Sequence, residues 1–147
     1  QLLGEVLGGD VVKSKPPEIG ILDINMDQAS SNDILFGEFK STIKALQWHS
    51  YEVQNLESNH DITLLGSSPT TKYQIFKYKN HAYGIQFHIE IKSNTVSQWG
   101  CVPEYENALE DSMGKGALKK FDKVAQENMS EMNNNAENLY NNFKKIL

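Results

Sequence analysis

Apolar and polar positions change period several times along the chain, and each change predicts an element. Leu2, Leu3, Val6 and Leu7 share one helical face, and Gly8-Gly9 supplies a stop, so the first residues read as the back half of a helix. Val11-Val12 predicts a short strand that Pro16-Pro17 breaks. Glu18 to Ile24 predicts a second, built on Ile19, Ile21 and Leu22. Met26 to Lys40 is polar and loop-like around Phe36-Gly37. Lys44 to His49, running on through Tyr51-Glu52-Val53, and Asp61 to Gly66 predict two further strands. Ser67 to Thr71, with Pro69, is a turn. Tyr73 to Tyr78 alternates, and Lys79-Asn80 turns the chain into Ala82 to Phe87, which predicts a hairpin. Ser93 to Trp99 reads as a short helix capped by Ser93 or Asn94. Beyond Gly114 and Gly116, Phe121, Ala125, Met129, Met132, Ala136, Leu139 and Phe143 recur at helical spacing. Asn133-Asn134-Asn135 weakens that helix locally, because Asn side chains compete for backbone hydrogen bonds.

The chemistry concentrates where the hairpin ends. Tyr83-Gly84-Ile85-Gln86-Phe87-His88-Ile89-Glu90 reads as a buried strand closing on His88 and Glu90. In extended backbone, residues i and i+2 project to the same side. The carboxylate can then orient the imidazole and stabilise its cation, which is the base-and-orienter half of a nucleophilic triad. Taken alone, an H-x-E pair more often surrounds a structural histidine.

Composition narrows the field without naming a function. A chain of 147 residues is one domain and can bury a sizeable core. With 14 Lys and Arg against 19 Asp and Glu, and no basic stripe, no nucleic-acid footprint is visible. No long apolar run predicts a membrane helix, and no signal peptide is visible. The single cysteine, Cys101, excludes an internal disulfide framework and fits a reducing cytoplasm. The four histidines lack zinc-type spacing, so neither a metal nor another cofactor is expected. The opening helix has no N-cap and the first residue is Gln1, so an upstream part is expected to be missing.

Several ordered segments change this picture. They are Gln1-Leu2-Leu3 with Leu7-Gly8-Gly9, Glu18-Ile19-Gly20, Leu46-Gln47-Trp48-His49-Ser50, Leu65-Gly66-Ser67-Ser68 and Tyr83 to Glu90. With these the chain resembles the class I glutamine amidotransferases over its whole length, above all their stand-alone GMP synthase-like branch. The final helix, ending Leu139-Tyr140-Asn141-Asn142-Phe143, resembles that branch's tail. Ile89 departs from the family's usual proline. The resemblance implies an α/β fold, a flavodoxin-like, mostly parallel sheet flanked by helices, with its N-terminal part missing and a C-terminal helical tail. It implies residues 1–103 as the C-terminal part of the amidotransferase domain, and 104–147 as a helical extension packed on it.

The resemblance also implies an activity. In the family a cysteine in a G-x-C-x-G-x-Q elbow attacks the glutamine side-chain amide. Gln1 matches the last residue of that elbow, which places the cysteine four residues upstream of it. His88 and Glu90 are then catalytic, and Gln1, Ser50 and Tyr51 bind substrate. The partners implied are glutamine and a synthetase chain that accepts the ammonia. For Trp48 and Tyr51, a plain core role remains open. Cys101 lies outside any elbow pattern and is expected to be a small core residue. His60 and His81 are expected to be solvated. Two alternatives stand beside glutamine hydrolysis: a γ-glutamyl amide or peptide hydrolase with the same triad, and a non-catalytic binding module on the same scaffold.

Overall fold

The computed structural model describes residues 1–147. In chain order its elements are α1 (Leu2–Val6), β1 (Asp10–Met26), a 3-10 turn (Gln28–Asn32), β2 (Thr42–Gln54), β3 (Ile62–Ser67), β4 (Ile75–Tyr78), β5 (Ala82–Ile85), α2 (Thr95–Trp99), α3 (Pro103–Met113) and α4 (Ala117–Lys144). The strands form one sheet in the order β2-β1-β3-β4-β5.

The class is α/β, but the sheet is antiparallel throughout and not parallel. Parallel neighbours need a crossover of a dozen or more residues, usually a helix. Between Asp10 and Ile85 the chain offers only the short 3-10 turn and loops. Hairpin-like returns are the available geometry.

The sheet also curls. Past β5 the chain crosses to the far edge strand, where His88 and Leu46 exchange both backbone hydrogen bonds at 2.9 Å. The strand expected to run through to Glu90 therefore stops at Ile85, and β5 is only part-buried. His88 is held by a single bridge, not by a continuing ladder.

The two short strands expected either side of Pro16-Pro17 are one strand. Its register slips between Lys13↔Tyr51 and Glu18↔His49, so Ser14 to Pro17 bulge opposite Ser50. The bulge absorbs the prolines, which have no N–H to give a ladder.

The main core draws on both layers. Ile24, Leu46, Leu65, Ile75, Phe87 and Ile89 from the strands and their extensions pack with Phe121, Ala125 and Met132 of α4. Leu35 and Phe36, inside the segment expected to be a plain polar loop, are buried in this core. A smaller cluster of Val53, Leu56, Tyr73 and Phe76 receives Leu3 from α1 and Leu7 from just past its end. Leu2 and Val6, expected on the same face, are exposed. α3 has no clear apolar period, yet two residues bound it. Pro103 opens its first turn, where a missing N–H costs nothing, and Gly114 with φ 86° stands just past its end. The Asn run does not interrupt α4, because packing rather than propensity sustains a long helix. No helix is long and apolar enough to cross a membrane.

Candidate active site around His88

His88 sits where β5's extension meets β2, and Glu90 follows on the same side. Nδ1 of His88 lies 2.7 Å from Oε1 of Glu90. A carboxylate only accepts, so Nδ1 carries the proton and Nε2 is left as the acceptor nitrogen. The other carboxylate oxygen of Glu90 accepts from the Ile89 backbone N–H at 3.0 Å. His88 beside it, together with these backbone donors, holds the Glu90 carboxyl below its ordinary range against the opposing effect of burial. The His88 side chain is 38% exposed. One face meets Trp99 edge-on, with ring centroids 5.0 Å apart. Trp48, two residues beyond the Leu46 bridge, completes a shallow cavity of about 220 Å³ with His88, Trp99 and Tyr105.

The remaining expected site residues fall into two places. The Gln1 side-chain amide donates to the Tyr51 carbonyl at 3.1 Å, and the Gln86 amide reaches the same oxygen at 3.4 Å. Gln1, Tyr51 and the segment leading to His88 are thus tied together. Ser50 is on the opposite strand face, as alternation requires. It lines a cavity of about 330 Å³ with Lys13, Pro16, Pro17 and Asp111 at the β1 bulge. Cys101 is exposed rather than in the core, with its thiol donating to the Ser97 carbonyl at 3.2 Å. It does not line the cavity beside His88.

Two buried ionic groups support this arrangement and were not foreseen. Glu18 is 4% exposed. Its Oε1 accepts from Ser68 Oγ at 2.5 Å and from Thr70 Oγ1, and its Oε2 accepts from Gln74 Nε2 at 2.6 Å. His49 Nε2 lies 3.2 Å from Oε2. Burial pushes the Glu18 carboxyl up, but His49 beside it and the Ser68 and Thr70 hydroxyls outweigh that and hold the group at about 2. Gln74 in turn accepts the Gln86 backbone N–H through its carbonyl at 2.9 Å. The Glu18 cluster is therefore linked to the strand extension that carries His88. Asp33 is the second group. It accepts from Lys77 Nζ at 2.7 Å, Tyr83 Oη at 3.1 Å and the backbone of Leu35 and Phe36. Burial and the Asp33 charge push Tyr83 up to about 12. The one visible sequence signal was a charged Glu18 opening an otherwise apolar strand.

Comparison with known proteins identifies the family of this antiparallel, curled α/β domain with its H-x-E pair past the last strand. The sequence model described as glutamine amidotransferase class-I matches residues 1–98, and the chain belongs to that family. The glutamine amidotransferase-like protein YfeJ of Salmonella typhimurium is 30% identical over 133 residues, covering 90% of this chain and 54% of that protein. A glutamine-hydrolysing GMP synthase subunit of Sulfolobus acidocaldarius is 37% identical over 93 residues, or 63% of this chain and 47% of that protein. A glutamine amidotransferase structure from Thermotoga maritima aligns with a TM-score of 0.77 and 26% identity, over 95% of this chain and 56% of that one. The chain spans about half the length of the curated relatives it matches.

Proposed function

We propose that this chain carries the acid–base half of a glutamine-hydrolysing site. His88 takes the proton of a cysteine thiol and returns it to the leaving nitrogen, and Glu90 orients the ring and balances its charge. The nucleophile in this reading is a family-type cysteine four residues before Gln1, not Cys101. Gln1 and the backbone groups of Ser50 and Tyr51 hold the amino-acid end of glutamine. Residues 1–103 form the amidotransferase unit, with 104–147 as its helical extension. The ammonia passes to a separate synthetase chain, a reading supported by relatives that are themselves named as one subunit of a GMP synthase. A reducing compartment such as the cytoplasm suits a thiolate mechanism.

The observation that carries the reading is the 2.7 Å Nδ1–Oε1 contact, which leaves Nε2 as the base. The test is kcat for glutamine hydrolysis in protein that contains the elbow cysteine, with circular dichroism as the folding check. His88→Ala should lower kcat by about a thousandfold or more, and Glu90→Gln by less. Near-normal turnover in His88→Ala would make His88 structural. Ammonia release that depends on Cys101 would move the nucleophile there.

A further inference from the structure

The cavity beside His88 is larger than ammonia release requires. Its volume is about 220 Å³, whereas a water-sized molecule needs only about 10–15 Å³ of such space. Three of its four lining residues are Trp48, Trp99 and Tyr105. Their ring centroids lie 5.9 Å apart for Trp48–Trp99, 5.9 Å for Trp48–Tyr105 and 6.4 Å for Trp99–Tyr105. The rings are tilted at 45° to 63° to one another, so they form an aromatic floor of angled faces and edges. No Lys or Arg lines it. The placement is built by the fold. The Leu46↔His88 bridge sets Trp48 diagonally across from His88. α2 delivers Trp99 and the first turn of α3 delivers Tyr105.

The chemistry at His88 gives this floor a role. A base that protonates a leaving nitrogen must come within hydrogen-bond reach of it. Any substituent on that nitrogen therefore starts beside His88 and extends over whatever lines the next few ångströms. We propose that the Trp48–Trp99–Tyr105 cavity receives the N-substituent of a γ-glutamyl amide, and that the preferred substrates are amides of flat, apolar amines rather than glutamine alone. The inference rests on the acid–base role of His88 proposed above. In the reaction the amide C–N bond breaks, the nitrogen takes a proton from His88 and leaves as the amine, and water supplies the oxygen of the glutamate released. An aromatic amine gains stacking and apolar burial on this floor, and ammonia gains neither.

The chain's only two tryptophans both line the cavity, so intrinsic fluorescence reports its occupancy directly. The full chain is titrated with L-glutamine, γ-glutamylmethylamide and γ-glutamylbenzylamide. The benzylamide should perturb the tryptophan emission and bind at least about fivefold more tightly than glutamine. Tyr105→Ala should collapse that ratio towards one, and Tyr105→Phe, which keeps the ring, should retain it. A benzylamide that binds no more tightly than glutamine overturns the proposal, as does a ratio that Tyr105→Ala leaves unchanged. Hydrolysis is read separately, as ammonia released from glutamine by protein containing the elbow cysteine. No ammonia with the benzylamide preference intact sinks the acid–base reading and leaves the cavity assignment standing. Ammonia with no benzylamide preference does the reverse.

Discussion

A carboxylate removed from water must recover its hydration from protein donors, and Glu18 does so from residues far away in the chain. Its hydrogen-bond partners Ser68, Thr70 and Gln74 lie 50, 52 and 56 positions along the sequence. The His88–Glu90 pair, by contrast, is separated by two positions and was legible from strand alternation alone. Glu18 has a testable signature. Its folded value of about 2 lies below the ordinary 4.5, so its contribution to stability is full above about 4.5 and is lost as pH falls towards about 2. Glu18→Gln should remove that slope. At neutral pH it should cost about 1–3 kcal/mol, because donors aimed at a carboxylate lose an acceptor. Urea midpoints from pH 6 to about 2 measure both effects. Parallel pH curves for the two proteins would show that Glu18 is already titrating normally in the fold.

At the scale of elements, period predicted most of what formed, and the misses have physical causes. The hairpin β4–β5 and the long helix α4 were visible because their apolar spacing is local. The join of β1 across Pro16-Pro17 was not, because β2 supplies the partner that tolerates the bulge. α4 shows which of its positions matter. Phe121 is 1% exposed in the main core. Asn142 is 2% exposed, and its amide donates to the Leu35 carbonyl at 2.9 Å, pinning a loop 107 positions away. Tyr140 is 61% exposed. Thermal or urea unfolding should therefore rank the variants. Phe121→Ala should cost about 3–5 kcal/mol by leaving a cavity. Asn142→Ala should cost about 1–3 kcal/mol by orphaning a buried carbonyl. Tyr140→Ala should stay within about 0.5 kcal/mol. A Tyr140→Ala cost as large as that of Phe121→Ala would mean that α4 packs by a different face.

The whole molecule leaves one side open. β5 ends the strand order, so its outer edge has no partner strand. Beside it runs a cavity of about 530 Å³ lined mainly by apolar groups, with Ile85, Tyr140 and Phe143 exposed along it. An unpaired edge next to an apolar surface is a template for association. The isolated chain should therefore associate as its concentration rises, and Ile85→Lys should reduce this by placing a charge on the edge. Sedimentation velocity across a concentration series checks it. A monomer at every concentration, with cooperative unfolding, would mean that this side is self-sufficient.

Local information settled the H-x-E pair, the hairpin and the final helix, because each depends on side chains within a few positions of one another. The Gln1–Tyr51 link lay outside that reach, and so did the aromatic floor assembled from β2, α2 and α3. The same limit applies to the sheet. Strand alternation shows which face of a strand is buried but not the direction of its neighbour, so the expected parallel sheet gave way to an antiparallel one. What only the tertiary structure decided was closure. One bridge between Leu46 and His88, made across the curl of the sheet, brings His88 to Trp48, and no periodicity in either segment specifies that meeting.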